Sequence, residues 1–184
     1  MTEQLPPADR VLVTIHKRLA LLRVEGRGSF KSSMALREFG ISALSTGCNT
    51  IVLDMTDCIG LDSTFMGTLA GLATRLRQHD RERGVMILLN LNPRVRGLVA
   101  TLGLDRLAQT YEQGATPEEL QNILTLSDSL RTLDTPENNR DETTRMMIEA
   151  HENLTPLTSD NIPRFKDVLT YLREDLNRHN PPGK

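Results

Sequence analysis

Apolar residues change their spacing along this chain, and the spacing divides it into strands and helices. Val11 to His16 (VLVTIH) and Leu19 to Glu25 (LALLRVE) are short aliphatic runs split by Lys17-Arg18, the pattern of a β-hairpin. Gly26 and Gly28 are expected to end the second run, with Gly26-Arg27-Gly28 as a strand-ending turn. From Ser33 to Thr46, Met34, Leu36, Phe39, Ile41 and Leu44 recur at helical spacing, and Gly47 falls where a left-handed C-terminal cap belongs. Thr50 to Met55 (TIVLDM) is apolar on both faces, as a central strand covered from two sides would be, and leads through a loop, Thr56 to Leu61, to Asp62, a natural N-cap.

Ser63 to Arg81 predicts the next helix, with Phe65, Leu69, Leu72, Ala73 and Leu76 as its inward stripe, basic residues at its end and Gly84 closing it. Val85 to Leu91 (VMILLNL) reads as a second buried strand. Pro93 begins a short helix with Val95, Leu98, Val99 and Leu102 inward before Gly103, and Leu107 to Tyr111 predicts a last strand. Strands alternating with helices define an α/β unit over residues 10–113, a mixed or mostly parallel sheet packed with helices, behind a flexible lead at 1–10.

Residues 114–184 lose the strand signal and read as an all-α extension. Thr116-Pro117-Glu118-Glu119 has the form of a capping box, followed by Leu120, Ile123, Leu124 and Leu130. A second helix is expected from Thr135-Pro136-Glu137, carrying Met146, Met147, Ala150 and Leu154, and a third carries Phe165, Val168, Leu169, Leu172 and Leu176. The last two suggest a helical hairpin, and the Asn180 to Gly183 tail is expected to fray.

Composition narrows the function. Of 184 residues, 38% are hydrophobic and 25% charged, the balance of a soluble globular chain, and 3% aromatic leaves little for stacking nucleic-acid bases. A net charge of −2 offers no basic field for phosphate backbones, so nucleic acid is not an expected partner. No apolar run approaches the roughly 18 residues of a membrane span, and no signal-like start is present, so the expected location is the cytoplasm and the two cysteines, Cys48 and Cys58, are expected as free thiols.

Catalytic signatures are missing. His16, His79, His151 and His179 share no metal-ligand spacing, and neither a P-loop, a G-x-S-x-G elbow nor a G-x-G-x-x-G fingerprint occurs, so neither enzyme, metal nor cofactor is expected. Asp54 and Asp57 could form a carboxylate pair, but at a strand end a solvated or capping role is the plainer expectation. One segment stands out: Asp54-Met-Thr-Asp57-Cys-Ile-Gly60-Leu-Asp62-Ser63-Thr64-Phe-Met-Gly67. It brings two hydroxyls to a helix start, where unpaired amides and the helix dipole favour an anion, although capping alone would also account for them.

This segment resembles the signature of the STAS domain, the fold of bacterial anti-sigma factor antagonists, in which Asp-Ser-x-Gly-Leu opens the second helix. The surrounding order of strands and helices over residues 10–113 matches as well. The resemblance implies that Ser63, after Asp62, is a phosphoacceptor with Thr64 as neighbour, and that the partner is an anti-sigma factor or related serine protein kinase. It further implies partner binding through Asp57, Gly60, Asp62, Ser63, Thr64 and Gly67, with nucleotide belonging to the kinase. Two departures stand beside it. Phe65-Met66 replaces the usual Gly-Leu, delaying the glycine to Gly67, so that Phe65 either fills a core gap or reshapes the docking surface; and the Gly26 to Lys31 loop lacks an acidic residue. The alternative is a STAS scaffold or ligand-sensing module without a phosphoswitch, binding through its helical extension.

Overall fold

In a computed structural model, residues 8–80, 84–137 and 139–179 are described. The expected flexible lead, apart from Ala8 to Arg10, the helix end at Arg81 and the Asn180 to Gly183 tail lie outside them. Strands β1 (Arg10–His16) and β2 (Leu19–Gly28) form an antiparallel hairpin that turns at Lys17, whose φ is 56°. β2 pairs in parallel with β3 (Thr50–Asp54), β3 with β5 (Val85–Leu91), and β5 with β6 (Gln109–Glu112). A two-residue β7 (Arg131–Thr132) pairs with β1, giving the order β6-β5-β3-β2-β1-β7, while β4 (Cys58–Leu61) pairs with the far end of β2. Helices α1 (Phe30–Ser45), α2 (Ser63–His79) and α3 (Pro93–Leu102) connect the parallel strands, and α4 (Glu118–Leu124), α5 (Arg140–Leu154) and α6 (Asn161–His179) follow.

Because side chains alternate along a strand, each central strand feeds two cores. Ala20, Leu22, Ile51, Leu53, Met86 and Leu88 face the large core under α1, α2 and α3, while Leu21, Val52, Ile87 and Leu89 face a smaller one. Leu120, Ile123, Leu124, Leu126 and Leu130 cover that second face, so α4 and the 3-10 turn after it shield the sheet from water. Burial on both faces explains the unbroken apolar runs of β3 and β5.

Several boundaries differ from the sequence expectation. Gly26-Arg27-Gly28 is not a turn: β2 runs through Gly28 and pairs with β4, which occupies the stretch expected as a loop. α1 starts at Phe30 rather than Ser33, and α2 runs from Ser63 to His79. The last strand of the α/β unit lies at Gln109–Glu112 because Leu104–Arg106 forms a 3-10 turn. The Thr116 capping box does not form; its hydroxyl donates to Asn90 Oδ1 at 3.0 Å, and α4 starts after Pro117 with no side-chain cap. α5 begins at Arg140, capped by Asn139, not at Thr135, and β7 interrupts a segment expected to lack strands.

The α5–α6 hairpin packs on the α/β unit. Leu154, Phe165 and Leu169 belong to the same core cluster as Leu53 and Leu69. α5 lies directly along α2: a Cβ added to Gly67 would overlap the Ala150 carbonyl, so the two backbones touch there. Asn161, fully buried at the start of α6, donates through Nδ2 to the carbonyls of Leu102 at 3.0 Å and Leu154 at 2.7 Å, joining the ends of α3 and α5. Asn161→Ala removes a donor from each carbonyl, leaving that of Leu154 with the Leu157 amide, and urea unfolding is expected to show a loss of about 1–3 kcal/mol; a change under about 0.5 kcal/mol, the range of neutral surface substitutions, would contradict this role.

Candidate functional site

The site is built where β2, β4 and the starts of α1 and α2 converge. β4 lies beside Gly26–Gly28, and Asp62 continues the pairing by donating its amide to the Gly28 carbonyl at 3.0 Å. Asp62 is thereby placed between two helix starts. Its Oδ1 accepts the Phe65 amide of α2 at 2.8 Å and its Oδ2 the Phe30 amide of α1 at 2.7 Å. One carboxylate so satisfies an orphan donor at each of two helices and meets the positive ends of both dipoles. Phe65 is fully buried, and a Cβ on Gly28 would come within 2.9 Å of its ring. The departure at Phe65 therefore fills the core, and Gly28 is the position that makes room for it.

At the C-terminal end of β3, of the solvated or capping role expected for Asp54, solvation is overturned, since it is 2% exposed, while its carboxylate does accept a loop amide, that of Thr56. Arg23 Nε donates to it at 2.9 Å, the Thr56 amide at 3.1 Å, the Thr56 hydroxyl at 2.5 Å and Asn90 Nδ2 at 3.0 Å. Burial alone would raise its pKa, but the donors from Thr56, Asn90 and Arg23 outweigh burial and hold the carboxyl below the ordinary carboxylate value. Asn90 reaches it from a left-handed backbone, φ 60°. Asp57 is exposed and makes no pair with Asp54; its carbonyl accepts the Gly26 amide at 3.0 Å.

Ser63 is the first residue of α2 and half-buried. Its Oγ lies 3.0 Å from Nε2 of His151, which α5 brings over the start of α2. Nδ1 of the same ring lies 2.7 Å from the Met147 carbonyl. A carbonyl only accepts, so Nδ1 carries a proton and donates to Met147, and Nε2 is left to share a hydrogen bond with the Ser63 hydroxyl. His151 is 3% exposed and meets the Phe165 ring edge-on at 5.1 Å.

The candidate residues fall into two groups. Gly60 and Asp62 line a cleft with Arg27, Ser29, Arg94 and Leu98, beside which Asp57 and the exposed side chains of Ile59 and Phe30 meet solvent. Thr64, 3% exposed, and Gly67 are buried, Gly67 against α5. Ser63 stands at the boundary. Sequence reasoning passed over His151 and the two cleft arginines. His151 follows Met147 by one helical turn on the half-apolar α5, but no local pattern connects it to a serine 88 positions earlier.

Cys48 and Cys58 are both unpaired and buried, and burial pushes both thiols up. Among the described residues no cluster of three His, Cys, Asp or Glu side chains could hold a metal, and no helix is long and apolar enough to cross a membrane.

The STAS domain model matches residues 10–116, the stretch that carries the mixed sheet, the acidic cap and the serine opening its second connecting helix; the chain belongs to that family. Its fold is shared by anti-sigma factor antagonists. One from Mycobacterium paratuberculosis is 20% identical with a TM-score of 0.51, covering 66% of this chain and 99% of the other. The unphosphorylated form of SpoIIAA is 23% identical with a TM-score of 0.50, covering 62% and 96% respectively. A candidate antagonist of Thermotoga maritima is 18% identical with a TM-score of 0.50, covering 61% and 92%. No curated protein sequence gives a match.

Because the Asp54 carboxyl is held below its unfolded value, its stabilisation is fully present above the ordinary carboxylate range of about 4 and is lost as pH falls through its folded value. Asp54→Asn is expected to destabilise the protein at pH 7 by about 1–3 kcal/mol, by weakening the bonds from Arg23 and Thr56, and to flatten this acid limb. Unfolding midpoints measured from pH 7 down to pH 3 check it; parallel curves for both proteins would contradict the assignment.

Proposed function

We propose that this chain is a regulatory protein-binding module of the anti-sigma factor antagonist type, non-enzymatic, whose partner is an anti-sigma factor or related serine protein kinase. The observation that carries this reading is the position of Ser63: directly after the N-cap Asp62, opening α2 of a STAS fold. The cleft of Gly60, Asp62, Arg27 and Arg94, flanked by exposed Ile59 and Phe30, supplies a mixed apolar and charged surface suited to protein docking. Phosphate on Ser63 adds about −1.5 to −2 charge near Asp57 and Asp62, at a face that must be desolvated on binding, and so weakens the complex.

A second reading, a STAS scaffold without a phosphoswitch that binds through the extension, draws support from the cover that α5 lays over Gly67 and from Ile162 and Tyr171, each 60% exposed on α6. Two measurements separate the readings. Mass spectrometry of protein purified from its native host is expected to map phosphoserine to Ser63. Binding of the partner kinase is expected to persist in Ser63→Ala and to fall at least about tenfold in Ser63→Glu, the scale of a like-charge juxtaposition at an interface. Equal binding by wild type and both variants, with loss instead on Tyr171→Glu, would establish the scaffold.

A further inference from the structure

We propose that the α5–α6 hairpin is a reversible cover over the start of α2, latched by the Ser63–His151 hydrogen bond, so that the segment bearing Ser63 is released only when the hairpin lifts. The inference rests on the reading of Ser63 as the regulated residue and adds what regulates its access: α5 of the same chain lies over the start of α2, beside the cleft given to the partner.

Five contacts, in three places, line the underside of the cover. His151 sits on the Ser63 hydroxyl at 3.0 Å, with its own orientation fixed by the Met147 carbonyl. Below it, the Ala150 carbonyl stands where a side chain on Gly67 would project, and Asn153 Nδ2 donates to the Gly67 carbonyl at 3.2 Å. Beyond these, Glu149 pairs with Arg37 of α1 at 3.0 Å and with Arg75 of α2 at 3.1 Å. The ion pairs lie on a partly exposed rim, where such contacts are individually weak and readily exchanged for water. Leu154, Phe165 and Leu169 in the common core and the Asn161 bonds to Leu102 and Leu154 also hold the hairpin, so its opening is a sub-global step that exposes part of that core, below the cost of global unfolding.

Phosphate on Ser63 and the closed hairpin exclude one another. Esterification replaces the Oγ proton with a phosphoryl group, whose oxygens need the space that His151 fills 3.0 Å from Oγ. Kinase access therefore requires opening, and phosphorylation holds the hairpin open.

The test uses the full chain and needs no kinase. In Ser63→Cys, maleimide labelling of the introduced thiol is followed by mass spectrometry, with buried Cys48 and Cys58 reporting any global unfolding. Adding Glu149→Arg sets a third arginine against Arg37 and Arg75. Labelling at position 63 is then expected to rise about fivefold or more while Cys48 and Cys58 stay protected, the signature of sub-global opening. Equal labelling rates at position 63 with and without Glu149→Arg overturn the proposal. Hydrogen exchange of Ser63→Glu against wild type supplies an arm independent of the cysteines: faster exchange across α5 and α6 with the α/β core unchanged is expected, and identical exchange overturns the latch. Failure here leaves phosphoserine at Ser63 free to be found in the host, whereas a hairpin that opens as expected around a serine never phosphorylated would sink the phosphoswitch reading alone.

Discussion

The Asp62 carboxylate accepts one backbone amide from α1 and one from α2, and the geometry of the site follows from that bridge. Two helix starts carry like partial positive charge, so bringing them together is unfavourable unless an anion stands between them. Asp62 supplies the charge and two acceptors at once. It reaches this place because β4 lies in register with Gly26–Gly28 and extends β2's pairing to its own amide. Asn92 reinforces the arrangement from the other side: it caps α3 through the Val95 amide at 2.9 Å and donates to the Cys58 carbonyl at 2.7 Å. Serine at position 63 is thus set at the first turn of α2 by contacts among three helices and two strands, not by its own sequence neighbourhood.

Burial of α2 on several sides is the second constraint. Phe65, Leu69 and Leu76 enter the sheet core, Leu72 meets α1 at Gly40, and Gly67 and Gly71, one turn apart, form the strip on which α5 lies. Small residues on that strip permit backbone approach, and a larger side chain at Gly67 would meet the Ala150 backbone, which cannot rotate away as a side-chain tip can. Gly67, two positions beyond the place the family signature gives its glycine, is where the α5 backbone meets α2.

Legibility in the sequence followed the range of the interaction. The buried strands, the inward stripe of α2 and the cap at Asp62 were readable because alternation, helical period and capping are local properties. β4 escaped because Cys-Ile-Gly-Leu is too short to show a period and becomes a strand only by lying against Gly26–Gly28, on the far side of α1 and β3 in the chain. Asp54 looked solvated because its donors Arg23 and Asn90 arrive from neighbouring strands of the sheet, and Thr116 looked like a cap because nothing nearby announces Asn90. His151 was indistinguishable from any helical histidine; its meaning lies wholly in α2 packing on α5.

The same hydroxyl therefore faces two neighbours with opposite preferences for charge. α2 presents its dipole and leading amides to position 63 and stabilises negative charge there. α5 presents a buried imidazole backed by the Phe165 ring and an apolar interior, where desolvating an added charge is costly. A neutral serine satisfies both at once, and a charged one satisfies only α2. Under the proposed latch, a modification that adds charge at Ser63 keeps the helix and strains its cover, and so acts first on the contact between the extension and the STAS fold.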